Sequence, residues 1–167
     1  MFYVKFISLN PLDEDDADEP DDPHHNMEFM IKWKNHSHMH NTWERYQDLR
    51  QYKGFKKVDS YIQRFVYPEI ALKSDPNTMR EEIEQSDVNR EMLRDELKDY
   101  TLVERIIASR TSKTGETEYF CKWNRLPYSA ATWEPEDQIS ENHQAEIDAF
   151  LDRESSQKVH YKTTIYP

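Results

Sequence analysis

The chain contains Glu28-Phe-Met-Ile-Lys-Trp-Lys-Asn-His-Ser-His-Met-His-Asn-Thr-Trp-Glu-Arg45 and, ninety residues later, Glu118-Tyr-Phe-Cys-Lys-Trp-Asn-Arg-Leu-Pro-Tyr-Ser-Ala-Ala-Thr-Trp-Glu-Pro135. The two stretches align without a gap, and Glu, Lys, Trp, Thr, Trp and Glu occupy the same places in both. All four tryptophans of the chain lie in this repeat. Solenoid repeats have periods of about 20–50 residues, so this longer spacing predicts two copies of one small domain with an insert between them.

The composition limits what each copy can be. The chain has 167 residues and a net charge of −11, and 36% of its residues are hydrophobic, with aromatic residues making up 13%. This composition predicts small sheets with aromatic cores rather than a large α/β domain. The single cysteine excludes a disulfide framework. No apolar run is long enough to span a membrane and no signal-peptide pattern is present, which predicts an intracellular, soluble chain.

Enzyme chemistry has no support in the sequence. Two glycines are too few for a loop that cradles phosphate. No constellation of serine, cysteine and histidine suggests a nucleophile. We therefore expect no catalytic residues and no cofactor in this chain.

The first copy is predicted to be a small sheet. Phe2–Ile7 and Phe29–Trp33 are β-prone, and alternate residues of the second segment share one face. The stretch 13–23 between them is acidic and contains proline, so it cannot bury apolar area and is predicted to be a long loop. A third strand is expected at Thr42–Glu44.

Helices are predicted for the insert between the copies. Val58, Ile62 and Phe65 have i, i+4, i+7 spacing, and Pro68 is expected to end that helix. A second helix is predicted over 79–98. It carries an acidic stripe and a meagre apolar one, which places it on a surface.

The second copy is predicted to have three strands, at Leu102–Ile107, Glu118–Trp123 and Thr132–Glu134. A short helix is predicted to follow, with its inner face at Ile147, Phe150 and Leu151. The first copy has no counterpart to Leu102–Ile107, so the chain is expected to begin inside its first domain. The polar tail from Ser155 is predicted to be extended.

These blocks resemble the chromodomain. In the second copy the resemblance rests on Val103-Glu-Arg-Ile106, Tyr119-Phe-Cys-Lys-Trp123, Leu126-Pro-Tyr128 and Ala131-Thr-Trp-Glu134. In the first copy, Lys32-Trp33 and Ser37-His-Met-His-Asn-Thr-Trp-Glu44 resemble the first of the paired chromodomains in the chromodomain-helicase-DNA-binding remodellers, subfamily one. The resemblance implies an α+β fold, in which two small chromodomains, each a three-stranded antiparallel sheet plus a C-terminal helix, are joined by a helical linker.

The resemblance also implies boundaries. They are chromodomain one at 1–46, with its first strand missing and a long acidic loop at 8–27; a helical linker at 47–99 with the acidic helix at 79–98; chromodomain two at 100–154; and an extended tail at 155–167 that leads toward a motor domain.

By this resemblance, the chain is the regulatory, histone-facing part of a nuclear ATP-dependent nucleosome remodeller. The motor, with its ATP and magnesium, is expected outside these residues. The implied partners are the histone-three tail or the nucleosome, and the remodeller's own ATPase motor; DNA is contacted only indirectly, and no membrane is involved. Two alternatives are a stand-alone methyl-lysine reader and a metal-dependent hydrolase, which would need stoichiometric zinc.

The methyl-lysine site is expected to be degenerate. Such a site holds an alkylammonium between two or three aromatic rings. By resemblance its positions in the first copy are Tyr3, Trp33 and His36, where histidine replaces a second tryptophan. In the second copy only Trp123 is aromatic, because Thr101 and Leu126 stand at the other two positions. Trp33 is predicted to be partly exposed.

Two further groups carry predictions. Trp43 and Trp133 are assigned to the cores of the two copies. His36, His38 and His40 alternate and could bind zinc, but they follow the family's pattern for a structural turn, so no metal site is predicted.

The acidic helix is the second candidate surface. In the remodeller family a comparable helix lies against the DNA-binding surface of the motor and competes with DNA, and its acidic cluster corresponds to Glu81, Glu82 and Glu84. Clustered carboxylates can mimic phosphate toward Arg and Lys. The alternative is an ordinary solvated helix face.

Overall fold

The computed structural model describes the backbone of residues 2–8 and 27–163 and the side chains of residues 27–156. The chain divides into two compact units, unit 1 at 1–95 and unit 2 at 96–167. Each unit contains one three-stranded antiparallel sheet with its strands in sequential order. The predicted α+β class with two small sheets is confirmed. Most of the predicted acidic loop at 8–27 lies outside the described residues.

The sheet of unit 1 has three strands, and its first strand is present. Phe2 pairs with Trp33, and Ile7 pairs with Phe29 across the first two strands. The prediction that this copy lacks a first strand is therefore wrong. The β-prone segment at the start of the chain fills that place, because its backbone can complete the open edge of the hairpin. The strands are β1 (Phe2–Ser8), β2 (Glu28–Trp33) and β3 (Thr42–Arg45).

Short helices close the core of unit 1. The core includes Phe29 and Ile31 from β2, which point to the same face as alternate residues of a strand. Residues after position 46 also belong to this core, namely Leu49, Val58, Ile62 and Val66. The boundary predicted at 46/47 is therefore too early, since the sheet cannot bury its face without them. The helices are α1 (Tyr46–Leu49), α2 (Lys56–Tyr61) and α3 (Tyr67–Ser74), and a π turn at Ile62–Val66 joins the last two.

The π turn corrects two expectations. Val66 is buried instead of Phe65, which is 58% exposed, because a turn of i→i+5 type shifts the helix face by one residue. Pro68 does not end the helix. It lies in the first turn of α3, where a backbone donor is not needed.

The acidic helix α4 spans Arg80–Asp99, within one residue of its predicted bounds at each end. It has no buried residue. It holds eight Asp or Glu and four Lys or Arg, a net charge of −4.

The sheet of unit 2 repeats the pairing of unit 1. Val103 faces Trp123 as Phe2 faces Trp33, and Ile106 faces Cys121 as Val4 faces Ile31. The register between the first two strands of this sheet shifts twice, once between Val103 and Arg105 and once between Ile106 and Ala108. The strands are β4 (Val103–Thr111), β5 (Thr117–Trp123) and β6 (Thr132–Pro135).

The C-terminal helix α5 spans Glu136–Thr163. It buries Ile139, Ile147 and Phe150. The placement of Leu151 on the inner face is wrong, since its side chain is 49% exposed. The backbone of His143 leaves the helical region (φ −132°, ψ 30°), which divides α5 by a kink. The tail predicted to be extended from Ser155 is helical as far as Thr163, and residues 164–167 lie outside the described part of the chain. The helix continues there because residues 155–163 contain neither proline nor glycine to stop it.

The tryptophans are placed differently from the prediction. Trp123 is fully buried, whereas Trp43 is 44% exposed and Trp133 is half-buried. The assignment of Trp43 and Trp133 to the cores is wrong. In each of these four-residue strands the threonine bonds the indole of the preceding strand and the glutamate bonds that threonine. Alternation therefore turns the intervening indole to the opposite face.

Candidate functional site

The motif that repeats in this chain builds a hydrogen-bond relay. In unit 2 the indole Nε1–H of Trp123 donates to Thr132 Oγ1 at 3.0 Å, and the Thr132 hydroxyl donates to Glu134 Oε1 at 2.5 Å. Glu134 is buried. The relay explains why a Thr and a Glu follow the buried Trp at fixed spacing, since a buried indole N–H and a buried carboxylate both need partners.

Unit 1 repeats the relay with the same atoms. Trp33 Nε1 donates to Thr42 Oγ1 at 2.9 Å, and Thr42 donates to Glu44 Oε1 at 2.6 Å. Here Thr42 is exposed and Glu44 is half-buried. The same frame is therefore more accessible to water in the first copy.

The lysine before Trp33 and the lysine before Trp123 each donate to backbone carbonyls of the turn that follows. Lys32 Nζ donates to the carbonyls of Trp33 (2.9 Å) and His36 (2.5 Å). Lys122 Nζ donates to the carbonyl of Trp123 at 3.1 Å and pairs with Glu104 at 2.5 Å. Two residues after each tryptophan the backbone is left-handed, with φ 67° at Asn35 and φ 56° at Arg125. These contacts are structural in both copies.

The predicted ring site in unit 1 is only partly assembled in the described residues. Trp33 is half-buried and packs against the core. The edge of Tyr52 lies against it, with ring centroids 5.2 Å apart at 66°. His36 is exposed and its ring lies 5.7 Å from that of His40. Tyr3 pairs with Lys32 through the backbone, and its side chain lies outside the described residues.

Tyr52 was missed by the sequence reasoning. It comes from the segment after α1, outside the repeated motif, and no spacing rule connects it to Trp33. At 5.2 Å its ring contacts Trp33 directly, and an alkylammonium needs room between two rings. The edge of the tyrosine therefore covers part of the Trp33 indole.

The matching position in unit 2 is closed. Trp123 has no exposed surface, so neither face of its indole can meet a ligand. Cys121, next to it on β5, is also fully buried, and burial raises the pKa of its thiol to about 12. This thiol stays protonated and unreactive at neutral pH.

The three predicted gating carboxylates do not share one face of α4. Glu81 and Glu84 lie on one side of the helix, while Glu82 is about 100° away from Glu81 around the axis. Glu84 is 60% exposed and pairs with Arg80 at 2.7 Å. Glu81 and Glu82 are exposed. The face therefore presents negative charge to solvent.

The sequence carries two matches to one family. The model of the Chromo (CHRromatin Organisation MOdifier) domain matches residues 15–64 and 101–153. These ranges contain both copies of the repeat and both sheets' central strands. The chain belongs to the chromodomain family.

The relatives place these chromodomains among the remodellers of the chromodomain-helicase-DNA-binding family. Chromodomain-helicase-DNA-binding protein 1 of Gallus gallus is 39% identical over 140 residues, which cover 81% of this chain, and the Homo sapiens protein gives the same figures. Protein CHROMATIN REMODELING 5 of Arabidopsis thaliana is 45% identical over 134 residues, or 78% of the chain. The match spans only about 8% of the length of each of these relatives.

His38 of the first chromodomain has a structural place in the turn between β2 and β3. His38 is buried, and its Nδ1 lies 3.2 Å from the amide nitrogen of Asn41. Among the described side chains, no group of three His, Cys, Asp or Glu is placed to hold a metal ion. The helices within the described ranges also lack the combination of length and apolar character that a membrane span requires.

Proposed function

We propose that this chain is the chromatin-binding regulatory module of an ATP-dependent nucleosome remodeller in the nucleus, in which two chromodomains joined by a helical linker control access of DNA to the motor. In this proposal α4 lies against the motor and competes with DNA. Histone-three tail or nucleosome contacts would act on the same module. ATP and magnesium belong to the motor, outside these residues.

One observation carries the proposal. The helix α4 buries no residue and has a net charge of −4. Most of the stability of a helix in a protein comes from packing one of its faces against another surface. A long helix that buries none of its residues is therefore suited to contact a further surface. The exposed carboxylates of Glu81 and Glu84 present negative charge spaced along one side, as the phosphates of DNA do.

The test uses the remodeller that contains this chain. Changing Glu81, Glu82 and Glu84 to Gln removes three charges and keeps good helix formers, so α4 should lose at most about 1 kcal/mol. ATPase activity on naked DNA should then rise toward the nucleosome-stimulated rate, and the rise should be smaller at high ionic strength, where the wild-type contact is already screened.

A matched control is available on α5, where Glu141, Asp152 and Glu154 are all exposed. Their triple change to Gln, Asn and Gln removes the same charge and should leave the ATPase preference unchanged. An intact enzyme whose preference for nucleosomes over naked DNA does not respond to the α4 substitutions would contradict the gate.

A second candidate is a stand-alone reader of methyl-lysine. It is favoured by the half-exposed indole of Trp33 in the first chromodomain. It is disfavoured by the edge of Tyr52 against that ring and by His36, because an imidazole is a poorer π-donor toward an alkylammonium than an indole is. A reader would bind trimethyl-lysine peptide at micromolar concentration, and a gate would not.

A further inference from the structure

The side of α4 that faces α3 is defined by contacts. Lys73 Nζ of α3 pairs with Asp87 at 2.7 Å, and Glu69 of α3 pairs with Arg90. Burial lowers the pKa of the Arg90 guanidinium from its ordinary value. Leu93 completes this side, where it lines a groove of about 490 Å³ with α3. Val88 and Met92 do not line this groove.

Two apolar side chains project from the outer face of α4. Val88 is 50% exposed and Met92 is 66% exposed. Their i, i+4 spacing places them next to each other on one side of the helix. Single exposed apolar residues are ordinary, but these two are neighbours, and they lie on the side of the helix away from Leu93.

Carboxylates surround the apolar pair. Relative to Val88, the four acidic positions are at i−7, i−4, i+3 and i+7, all on the same side of a helix. They are Glu81, Glu84, Glu91 and Asp95. The outer face therefore has an apolar centre within a negative rim, and this rim includes two of the three carboxylates in the proposed gate.

The chemistry of this face selects its occupant. A negative rim repels DNA and attracts a surface rich in Lys and Arg. A metal ion would leave Val88 and Met92 without a partner. An apolar centre with a polar rim is the composition of a protein–protein contact.

We propose that Val88 and Met92 are the apolar anchors by which α4 docks onto a Lys- and Arg-lined surface of the motor that has an apolar depression at its centre. This proposal rests on the gating function above and adds the anchors and the shape of the partner surface. The carboxylates steer the approach and set specificity, while the anchors hold the docked state.

The two contributions respond differently to salt. Contacts between exposed charges weaken above about 0.1 M salt, where the screening length falls to roughly 10 Å. Burial of apolar surface is not screened. The anchored gate should therefore retain part of its effect at salt concentrations that abolish the contribution of the carboxylates.

The experiment measures ATPase activity of the intact remodeller on saturating naked DNA and on nucleosomes, at low and at moderate salt. The test variant is Val88→Gln with Met92→Gln, which keeps helix propensity and removes only exposed apolar surface. The naked-DNA rate relative to the nucleosome rate should rise about fivefold at both salt concentrations. The matched control, Leu151→Gln, removes an apolar side chain that is equally exposed on α5 and should change nothing.

A rescue variant excludes a loss of folding as the cause. Val88→Ile with Met92→Leu keeps an apolar pair and should retain the wild-type ratio. If the carboxylate variant releases the motor but the Gln pair behaves like the Leu151 control, the gate stands and the anchors are refuted. If neither variant changes the ratio, both proposals fail. A release by the Gln pair that disappears at moderate salt would also overturn the anchoring role.

Discussion

Trp123 is fully buried in the second chromodomain, whereas Trp33, at the same place in the first, is only half-buried. Both indoles donate to a threonine that in turn donates to a glutamate, with nearly equal distances. The second copy closes this frame with α5, while the first uses short helices after its sheet. The comparison shows that the repeated motif is a structural frame in both copies, and that its accessibility depends on the helices that cover it.

The largest expected effect is on the second chromodomain. Trp123→Ala removes a fully buried aromatic side chain and should destabilise unit 2 by about 3–5 kcal/mol. Trp33→Ala should cost unit 1 roughly half of that, because its indole is already half in water. Hydrogen exchange of the β5 and β2 amides reports the two units separately. Equal losses in the two units would contradict the difference in burial.

Trp133→Ala provides a control for aromatic size within the same unit. This indole stacks on Phe120 with centroids 5.0 Å apart, and the guanidinium of Arg110 lies 4.2 Å from its centre. Because these contacts are at the surface, the substitution should cost about 1–2 kcal/mol. A loss as large as that of Trp123→Ala would mean that the outer face is part of the core.

The sequence predicted which residues form the strands but not which tryptophan is inside. Period two correctly placed Phe29, Ile31 and Trp33 on one face of β2. In the third strand, hydrophobicity favours Trp43 inward, yet Thr42 bonds the indole of Trp33 and Glu44 bonds Thr42, so Trp43 faces the other way. The hydrophobicity of the strand alone does not reveal this contact with a residue nine positions earlier.

Breaking the relay in unit 2 should have an effect between those of Trp123→Ala and Trp133→Ala. Thr132→Val removes the acceptor of the buried Trp123 indole N–H and a donor to the Glu134 carboxylate, and should destabilise unit 2 by about 2–3 kcal/mol. Thr42→Val should cost unit 1 about 1 kcal/mol, because water can replace the exposed hydroxyl. Thr111→Val, on the exposed end of β4, is the control and should be neutral. The same hydrogen-exchange measurement applies, and a larger loss in unit 1 would contradict the comparison.

The candidate surfaces were predictable to different degrees. The bounds of α4 follow from local signals, a proline-containing turn before it and a periodic pattern along it, and were predicted within one residue. Phe65 was misplaced because a π turn changes the helix period without a marker in composition. Tyr52 could not be linked to Trp33, since their contact depends on how the chain after α1 returns to the sheet.

The central claim is that the repeat is a structural frame in both copies and that neither copy is a stand-alone reader. Its most direct test is a titration with trimethyl-lysine peptide of the histone-three tail. The four indole N–H signals of the ¹⁵N-labelled chain are followed by NMR. We expect only the Trp33 signal to shift, without saturation up to about 1 mM peptide, and saturation to appear only in a His36→Trp variant, which restores a second indole. A saturating shift at micromolar peptide in the unmodified chain, or any shift of the buried Trp123 signal, would contradict this account.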